Sequence, residues 1–170
     1  MKITFLGGGN MANALIGGML KQGFAAADIT VVDPGSAARD KLERTYAVNC
    51  LETGEMLDNI GDLLVLAVKP QQMKDAVTPL VDKLGNAVVV SIAAGLDLAT
   101  LARFLGGHRK IVRCMPNTPA LIGAGITGLC PLPEVSAAER EAADCVLSAV
   151  GSTVWIDDEG RMDGVTALSG

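Results

Sequence analysis

The sequence predicts an α/β protein of the Rossmann-like class: a doubly wound, mostly parallel sheet with helices on both faces. Three observations carry that prediction. Apolar blocks of four to six residues alternate with longer stretches of helical period along the 170-residue chain, the pattern of strands buried on both faces and joined by crossover helices. A glycine-rich turn, Gly7-Gly8-Gly9, directly follows the first block. The composition, 49% hydrophobic and 19% charged, suits one sizeable core, and no run approaches the roughly 18 apolar residues that a membrane helix needs.

The elements follow in order. Residues 2–6 form the first strand, and 10–21 a helix that opens behind Gly9. Residues 29–32 make a second strand, 37–44 a helix, and a short third strand includes Ala47-Val48. A brief helix fits 55–59. Residues 63–68 read as a buried fourth strand stopped by Lys69-Pro70, 72–84 as a helix and 87–92 as a fifth strand. Asp97 is placed to cap a helix over 98–104, and 111–114 resume as a sixth strand. Residues 116–119 are irregular, because Pro116 and Pro119 each bias their predecessor away from helix. Residues 126–130 form another strand and 131–133 a turn. Ser136 and Glu139 have the spacing of a capping box, which starts a helix running to about 149. Residues 154–156 make a last short strand.

No repeat, low-complexity stretch or linker divides the chain. One dinucleotide-binding domain over 1–164 is expected. The apolar, glycine-ended stretch 164–170 stops without a cap or closing element, as a chain cut in mid-architecture would. Residues 165–170 are therefore expected to lead into a further domain.

Composition excludes several function classes. Net charge is −5, and the 14 Lys and Arg residues are scattered, so no basic stripe invites nucleic acid or an anionic membrane. Five aromatic residues are too few for base-stacking platforms. The opening passes too quickly from Met1-Lys2 through a short apolar block to glycine to form a signal peptide. Cys50, Cys114, Cys130 and Cys145 lie far apart without a CxxC pair, the usage of reduced, cytoplasmic thiols and small buried hydrophobes. His108 is the one histidine, which excludes a His-based triad or multi-histidine metal site; beside Gly106-Gly107 it reads as an exposed loop residue. Chemistry must come from a bound cofactor or from backbone groups.

The strongest local signal is Gly7-Gly8-Gly9-Asn10-Met11-Ala12, a G-x-G-x-x-A between a strand and a helix. Gly7 permits the turn, Gly9 lets a pyrophosphate approach the backbone, and Ala12 keeps the helix close to the sheet. The free N–H groups and positive dipole end of the helix hold phosphates. A glycine turn that merely packs is the plainer alternative. Asp33, ending the second strand, suits the ribose hydroxyls of NAD, whereas Ser36 and Arg39 suit a 2′-phosphate; NADH and NADPH stay equally open. Ala67-Val68-Lys69-Pro70 closes the fourth strand at the carboxyl edge, where open α/β sheets place ligands, although a solvated lysine would look the same. Ala93 and Ala94 close the fifth strand with small side chains that let a ring or ribose approach, or that serve helix packing. Asn117 and Thr118, set between Pro116 and Pro119, form a rigid polar presentation or a plain loop.

Together these pieces resemble the pyrroline-5-carboxylate reductase family. The matching residues are Ile3-Thr4-Phe5-Leu6 with the 7–12 motif, Leu66-Ala67-Val68-Lys69-Pro70-Gln71, Ser91-Ile92-Ala93-Ala94-Gly95, Arg113-Cys114-Met115-Pro116-Asn117-Thr118-Pro119 and Val165-Thr166-Ala167-Leu168-Ser169-Gly170. The first motif is common to Rossmann reductases; the 113–119 run with the terminal A-L-S-G is specific. The resemblance implies hydride transfer from NADPH or NADH to the C5=N imine of 1-pyrroline-5-carboxylate, giving L-proline, the last step of proline biosynthesis. It implies that Gly7, Gly9, Asn10 and Met11 line the pyrophosphate, and that Ala67, Lys69 and Pro70 border the ribose and nicotinamide. Ala93, Ala94, Asn117 and Pro119 would lie near the ring. It further implies a helical domain after residue 170 that builds a homodimer or higher homo-oligomer and supplies most substrate contacts, so that these 170 residues alone would be inactive. The alternatives are another Rossmann reductase, such as a 3-hydroxy-acid dehydrogenase, and a dinucleotide-sensing module without turnover. Asn117 discriminates, since a sensor needs the 7–12 loop but no polar loop facing the nicotinamide.

Overall fold

The computed structural model of the chain describes residues 1–164. Its strands are β1 (Ile3–Leu6), β2 (Ile29–Val32), β3 (Asn49–Leu51), β4 (Leu63–Leu66), β5 (Val88–Ser91), β6 (Ile111–Met115), β7 (Gly125–Pro131) and β8 (Gly151–Trp155). They form one eight-stranded sheet in the order β3-β2-β1-β4-β5-β6-β7-β8. The first six strands are parallel. β7 runs antiparallel to β6, and β8 lies parallel to β7. The helices are α1 (Asn10–Lys21), α2 (Ser36–Tyr46), α3 (Met73–Val77), α4 (Leu98–Phe104) and α5 (Ala137–Leu147). The expected Rossmann-like, doubly wound architecture is what the chain adopts.

Period-2 alternation along the strands divides the interior into two cores. Ile3, Phe5, Val31, Leu63, Val65, Val88, Val90, Val112 and Cys114 face one side, with Leu15, Ile16 and Met19 of α1, Leu42 of α2 and Val146 of α5. Leu6, Val32, Leu64, Leu66, Val89, Ile111 and Met115 face the other, with Met73 and Val77 of α3 and Leu98 and Leu101 of α4. Each fully buried aliphatic or aromatic side chain contributes about 1.5–3 kcal/mol, and these two layers are the main source of stability. Thr4 is the polar exception in β1, and its hydroxyl donates to the Ile60 carbonyl at 2.7 Å.

Both predicted caps form. The Asp97 side chain accepts from the Thr100 N–H at 2.8 Å, and the hydrogen bonding of Thr100 holds the Asp97 carboxyl below its ordinary value. The Ser136 Oγ accepts from the Glu139 N–H at 3.2 Å while Glu139 accepts from the Ser136 N–H at 2.8 Å.

Several elements differ from expectation. The third strand is Asn49–Leu51 rather than a segment including Ala47-Val48, because Ala47 closes α2 in the left-handed region at φ 57°, a role usually left to glycine. The fourth strand ends at Leu66, so Ala67 and Val68 lie beyond it. Residues 72–84 are not one helix. A 3-10 turn (Pro70–Gln72), α3 and a second 3-10 stretch (Thr78–Lys83) take their place, since Pro79 has no N–H with which to continue an α-helix. The brief helix at 55–59 is a 3-10 turn, Gly54–Met56. The Lys83 ammonium donates there to the carbonyls of Gly54, Glu55 and Leu57 at 3.0, 3.0 and 2.6 Å. Of residues 116–119, expected to be irregular, Thr118 and Pro119 open a 3-10 turn, Thr118–Ile122. Pro131 closes β7 instead of opening a turn. The last strand begins at Gly151 and ends at Trp155.

Among the described residues, no helix is long and apolar enough to cross a membrane. The 165–170 segment, expected to lead into a further domain, lies outside the described residues.

Candidate functional site

The parallel register lines up the ends of five strands. Leu6 pairs with Val32 and Leu66, Leu66 with Ser91, and Ser91 with Arg113. Residues 7–12, 33–39, 67–70, 92–95 and 116–119 therefore leave the sheet at one edge. β1 is flanked by β2 and β4, and successive connections leave it in opposite directions; the crevice at this switch point is where open α/β sheets take ligands.

Gly7 forms the floor of the crevice. Its φ is +103°, and a Cβ there would stand 2.5 Å from the Ala67 carbonyl oxygen. Its N–H donates to the Val32 carbonyl at 2.8 Å. Gly9 is different in kind. It is the N-cap of α1 in extended conformation, with no side-chain cap and no acidic residue in the first turn, and a Cβ would meet nothing within 4 Å. The first-turn amides of α1 have no partner four residues back, and the missing side chain leaves them accessible. Asn10 is exposed and Met11 half-buried at this end, while Ala12 is fully buried against the sheet, as a close approach of helix and sheet requires.

Asp33 lashes two loops together. Its Oδ2 accepts from the Gly8 N–H at 2.8 Å and its Oδ1 from the Gly35 N–H at 2.7 Å. Its carbonyl accepts from Arg39 Nη1 at 2.7 Å. Each carboxylate oxygen thus already serves a backbone amide before any ribose arrives. Ser36 is exposed at the start of α2, whose N-terminus has no side-chain cap, and Arg39 is half-buried one turn on.

On the other wall the Ala67 N–H donates to the Leu6 carbonyl at 2.8 Å. Val68 packs half-buried against the second core. Lys69 is exposed, and Pro70 begins the 3-10 turn that follows. Ala93 is buried, its N–H 3.3 Å from the Ser91 Oγ that accepts from it, and Ala94 is exposed. Asn117 is half-buried, and its Oδ1 accepts from the Ile126 N–H at 2.9 Å. The side-chain oxygen closes the 117–126 loop, and the Nδ2 donors are left for a ligand. Thr118 and Pro119 are exposed beside it.

The Asp33 lash, the Asn117 closure and an ion pair between Arg113 and Glu159 at 3.0 Å were not expected from the sequence. Each joins residues separated by loops, and no local signal marks them.

Other chemistry-bearing side chains fall elsewhere. His108, expected to be exposed, is half-buried with Nε2 2.8 Å from the Ala87 carbonyl, which anchors the α4–β6 connection. All four cysteines are free. Burial pushes the Cys114 thiol well above its ordinary value and raises Cys130. Cys50 is half-buried and pushed up to about 11, chiefly by burial. None of these three is an activated nucleophile. Cys145 departs from the expected buried hydrophobe, being exposed on α5. Among the described residues, no three His, Cys, Asp or Glu side chains gather as a metal site. A groove of about 1400 Å³ runs along α1 past Tyr46 and the 118–126 segment. Of the five edge segments its lining takes only Asn10, so the crevice and not this groove is the candidate site.

Comparison with known proteins agrees with this fold. The family model described as NADP oxidoreductase coenzyme F420-dependent matches residues 2–95. A pyrroline-5-carboxylate reductase of Pseudomonas aeruginosa is 46% identical over 170 residues, covering 99% of this chain and 62% of the relative. The solved structure of a pyrroline-5-carboxylate reductase from Coxiella burnetii superimposes with a TM-score of 0.94 at 33% identity, over 99% of this chain and 63% of that one. A Plasmodium falciparum pyrroline carboxylate reductase solved with NADP bound gives 0.86 at 27% identity, over 100% and 62%. The chain spans about three fifths of the length of the relatives it matches.

Proposed function

This chain belongs to the family described as NADP oxidoreductase coenzyme F420-dependent, and on that premise we propose that it carries, in residues 1–164, the dinucleotide-binding domain of a 1-pyrroline-5-carboxylate reductase. The observation that carries the reading is the uncapped N-terminus of α1 behind a side-chain-free Gly9, set in the crevice of an edge that also presents Asn117. The similarity to pyrroline-5-carboxylate reductases over 99% of this chain supports the substrate.

The residues fit a nicotinamide dinucleotide. The amides of Asn10, Met11 and Ala12 receive the pyrophosphate, with Gly7 and Gly9 keeping the floor low. Val68, Lys69 and Pro70 border the ribose, and the small side chains of Ala67, Ala93 and Ala94 admit the ring. Asn117 offers its Nδ2 donors toward the nicotinamide, held rigid by the bond to Ile126 and flanked by Thr118 and Pro119. When bound, the cofactor supplies the hydride that adds to C5 of the imine, whose nitrogen takes up a proton. A cyclic imine is already electrophilic, so the protein's contribution is orientation and electrostatics. The complete enzyme on this reading is a cytoplasmic homodimer or higher homo-oligomer.

The loop after β2 favours NADPH over NADH. Both Asp33 oxygens hold amides, whereas Ser36, the uncapped start of α2 and the Arg39 guanidinium suit a 2′-phosphate. Arg39→Met is expected to weaken NADPH binding about tenfold, the scale of one charge-assisted hydrogen bond, and to leave NADH binding nearly unchanged. Equal losses for the two nucleotides would show that Arg39 acts only by bracing Asp33.

The test of the function is a titration of the 170-residue chain with each nucleotide, followed by nicotinamide fluorescence, beside an assay of 1-pyrroline-5-carboxylate reduction. Binding of NADPH without turnover by the chain alone is expected, with turnover in the protein that carries both this chain and the substrate-binding region. Binding without turnover in that complete protein would favour a dinucleotide sensor or a reductase for another substrate. No binding by a chain with a native circular dichroism spectrum would overturn the reading of residues 7–12.

A further inference from the structure

Arg113 lies on β6 with its side chain only 8% exposed. Its Nη1 donates to Glu159 Oε1 at 3.0 Å, and its buried Nε has no partner. The same Glu159 oxygen accepts from the N–H of Leu98, the first residue of α4, at 2.7 Å. One carboxylate oxygen thus joins three separate segments: the middle of β6, the start of α4, and the 3-10 turn Glu159–Arg161 that follows β8.

As a source of stability this is a poor arrangement. An ion pair that takes an arginine out of water gains little over apolar residues of the same volume, and an unpaired buried N–H adds a cost. Its location gives it another use. The 93–95 turn enters α4 through Leu98, and Asn117 follows Arg113 by four residues. The two segments read above as flanking the nicotinamide are therefore fixed to each other through Glu159, beneath the carboxyl edge. Losses of geometry at a reacting or binding group are felt even when their origin lies outside the contact itself.

We propose that Arg113 and Glu159 are positioning residues, a clasp that sets the spacing between the 93–95 turn and the Asn117 loop and so shapes the nicotinamide end of the crevice. This inference rests on the dinucleotide reading of the site. It is independent of the substrate.

The test compares two nucleotides on the 170-residue chain: NADPH, and adenosine 2′,5′-bisphosphate, which lacks the nicotinamide half. Arg113→Met and Glu159→Ala are each expected to weaken NADPH binding about tenfold, the range of coupling through a packed network, and to leave adenosine 2′,5′-bisphosphate binding unchanged. Glu159→Gln keeps an acceptor oxygen for both donors and should recover most of the NADPH affinity. If Arg113→Met does not yield folded protein, Glu159→Ala makes the same comparison, since Glu159 is 30% exposed. A merely structural pair would weaken both nucleotides equally or neither, and either result overturns the clasp while leaving the dinucleotide reading intact. Failure of the unaltered chain to bind NADPH would overturn the reading itself, and the clasp with it.

Discussion

Gly9→Asp is expected to raise the melting temperature of the chain and to weaken its binding of NADPH sharply. The two effects have one cause. Gly9 already has the extended conformation of an N-cap, φ −77° and ψ −165°, and a Cβ there meets nothing within 4 Å. An aspartate in that place accepts from the first-turn amides of α1 and complements the helix dipole. The gain over glycine is a few tenths of a kcal/mol from the cap plus about 0.3–1 kcal/mol from the dipole. For a chain of this size that amounts to roughly 1–4 °C. The same carboxylate occupies the amides a pyrophosphate needs and places a negative charge against it, so affinity should fall at least about 100-fold. Scanning calorimetry and nicotinamide fluorescence on one preparation read both signs. Retained NADPH affinity would mean that the phosphates do not lie at α1. A lower melting temperature would mean that Gly9 is needed by the fold.

Gly18→Ala should destabilise the chain by about 1–3 kcal/mol, against the ordinary rule for its position. Alanine in a helix interior normally gains about 1 kcal/mol over glycine. At Gly18, however, the new Cβ would stand 2.2 Å from the Ala149 carbonyl oxygen and 2.9 Å from its carbon. Backbone offers no rotamer with which to give way, so α1 must shift from the 3-10 turn Ser148–Val150 that precedes β8. Gly17→Ala is the companion measurement. The three nearest neighbours of its Cβ all belong to Tyr46, the hydroxyl at 2.7 Å and ring carbons at 3.3 and 3.4 Å, the far end of a side chain that bonds Asn13 at 2.9 Å and borders the open groove along α1. Denaturant unfolding of the two variants should therefore separate them clearly. Equal stability would argue that α1 is not seated so closely on residues 148–150.

The contrast between these glycines marks what the sequence made legible. Gly7, Gly9 and Ala12 could be assigned separate roles because spacing between a strand and a helix restricts what each can do. The structure separates them along the same lines, with Gly7 against the Ala67 carbonyl and Gly9 in open space. The buried apolar blocks and the two caps at Asp97 and Ser136 were legible for the same reason, being local patterns with local causes. The departures have non-local or unmarked causes. Ala47 takes a left-handed conformation without the glycine that would advertise it. The direction of β7 depends on how residues 116–124 turn, and neither proline reports that. Asn117 could be recognised as a rigidly held polar group, yet not as one whose oxygen accepts from Ile126. Arg113 stood in a recognisable run, but its partner lies 46 residues further on.

The strand order has a consequence for how the chain comes to exist. β1 leaves the ribosome before β2 to β8, but it ends in the interior of the sheet, between β2 and β4. Until Leu66 has emerged, one edge of β1 has no neighbour, and the Ala67 carbonyl that Gly7 faces is not yet in place. The nascent chain through β3 is thus a three-stranded fragment with an open apolar flank, of the kind that invites mispairing during synthesis. Pairing β1 to β4 closes a loop of many residues, a step that non-local parallel topologies make slow. The crevice is the seam left by that closure, so the phosphate cradle at its floor, though encoded in the first twelve residues, is completed only by a strand translated some fifty residues later.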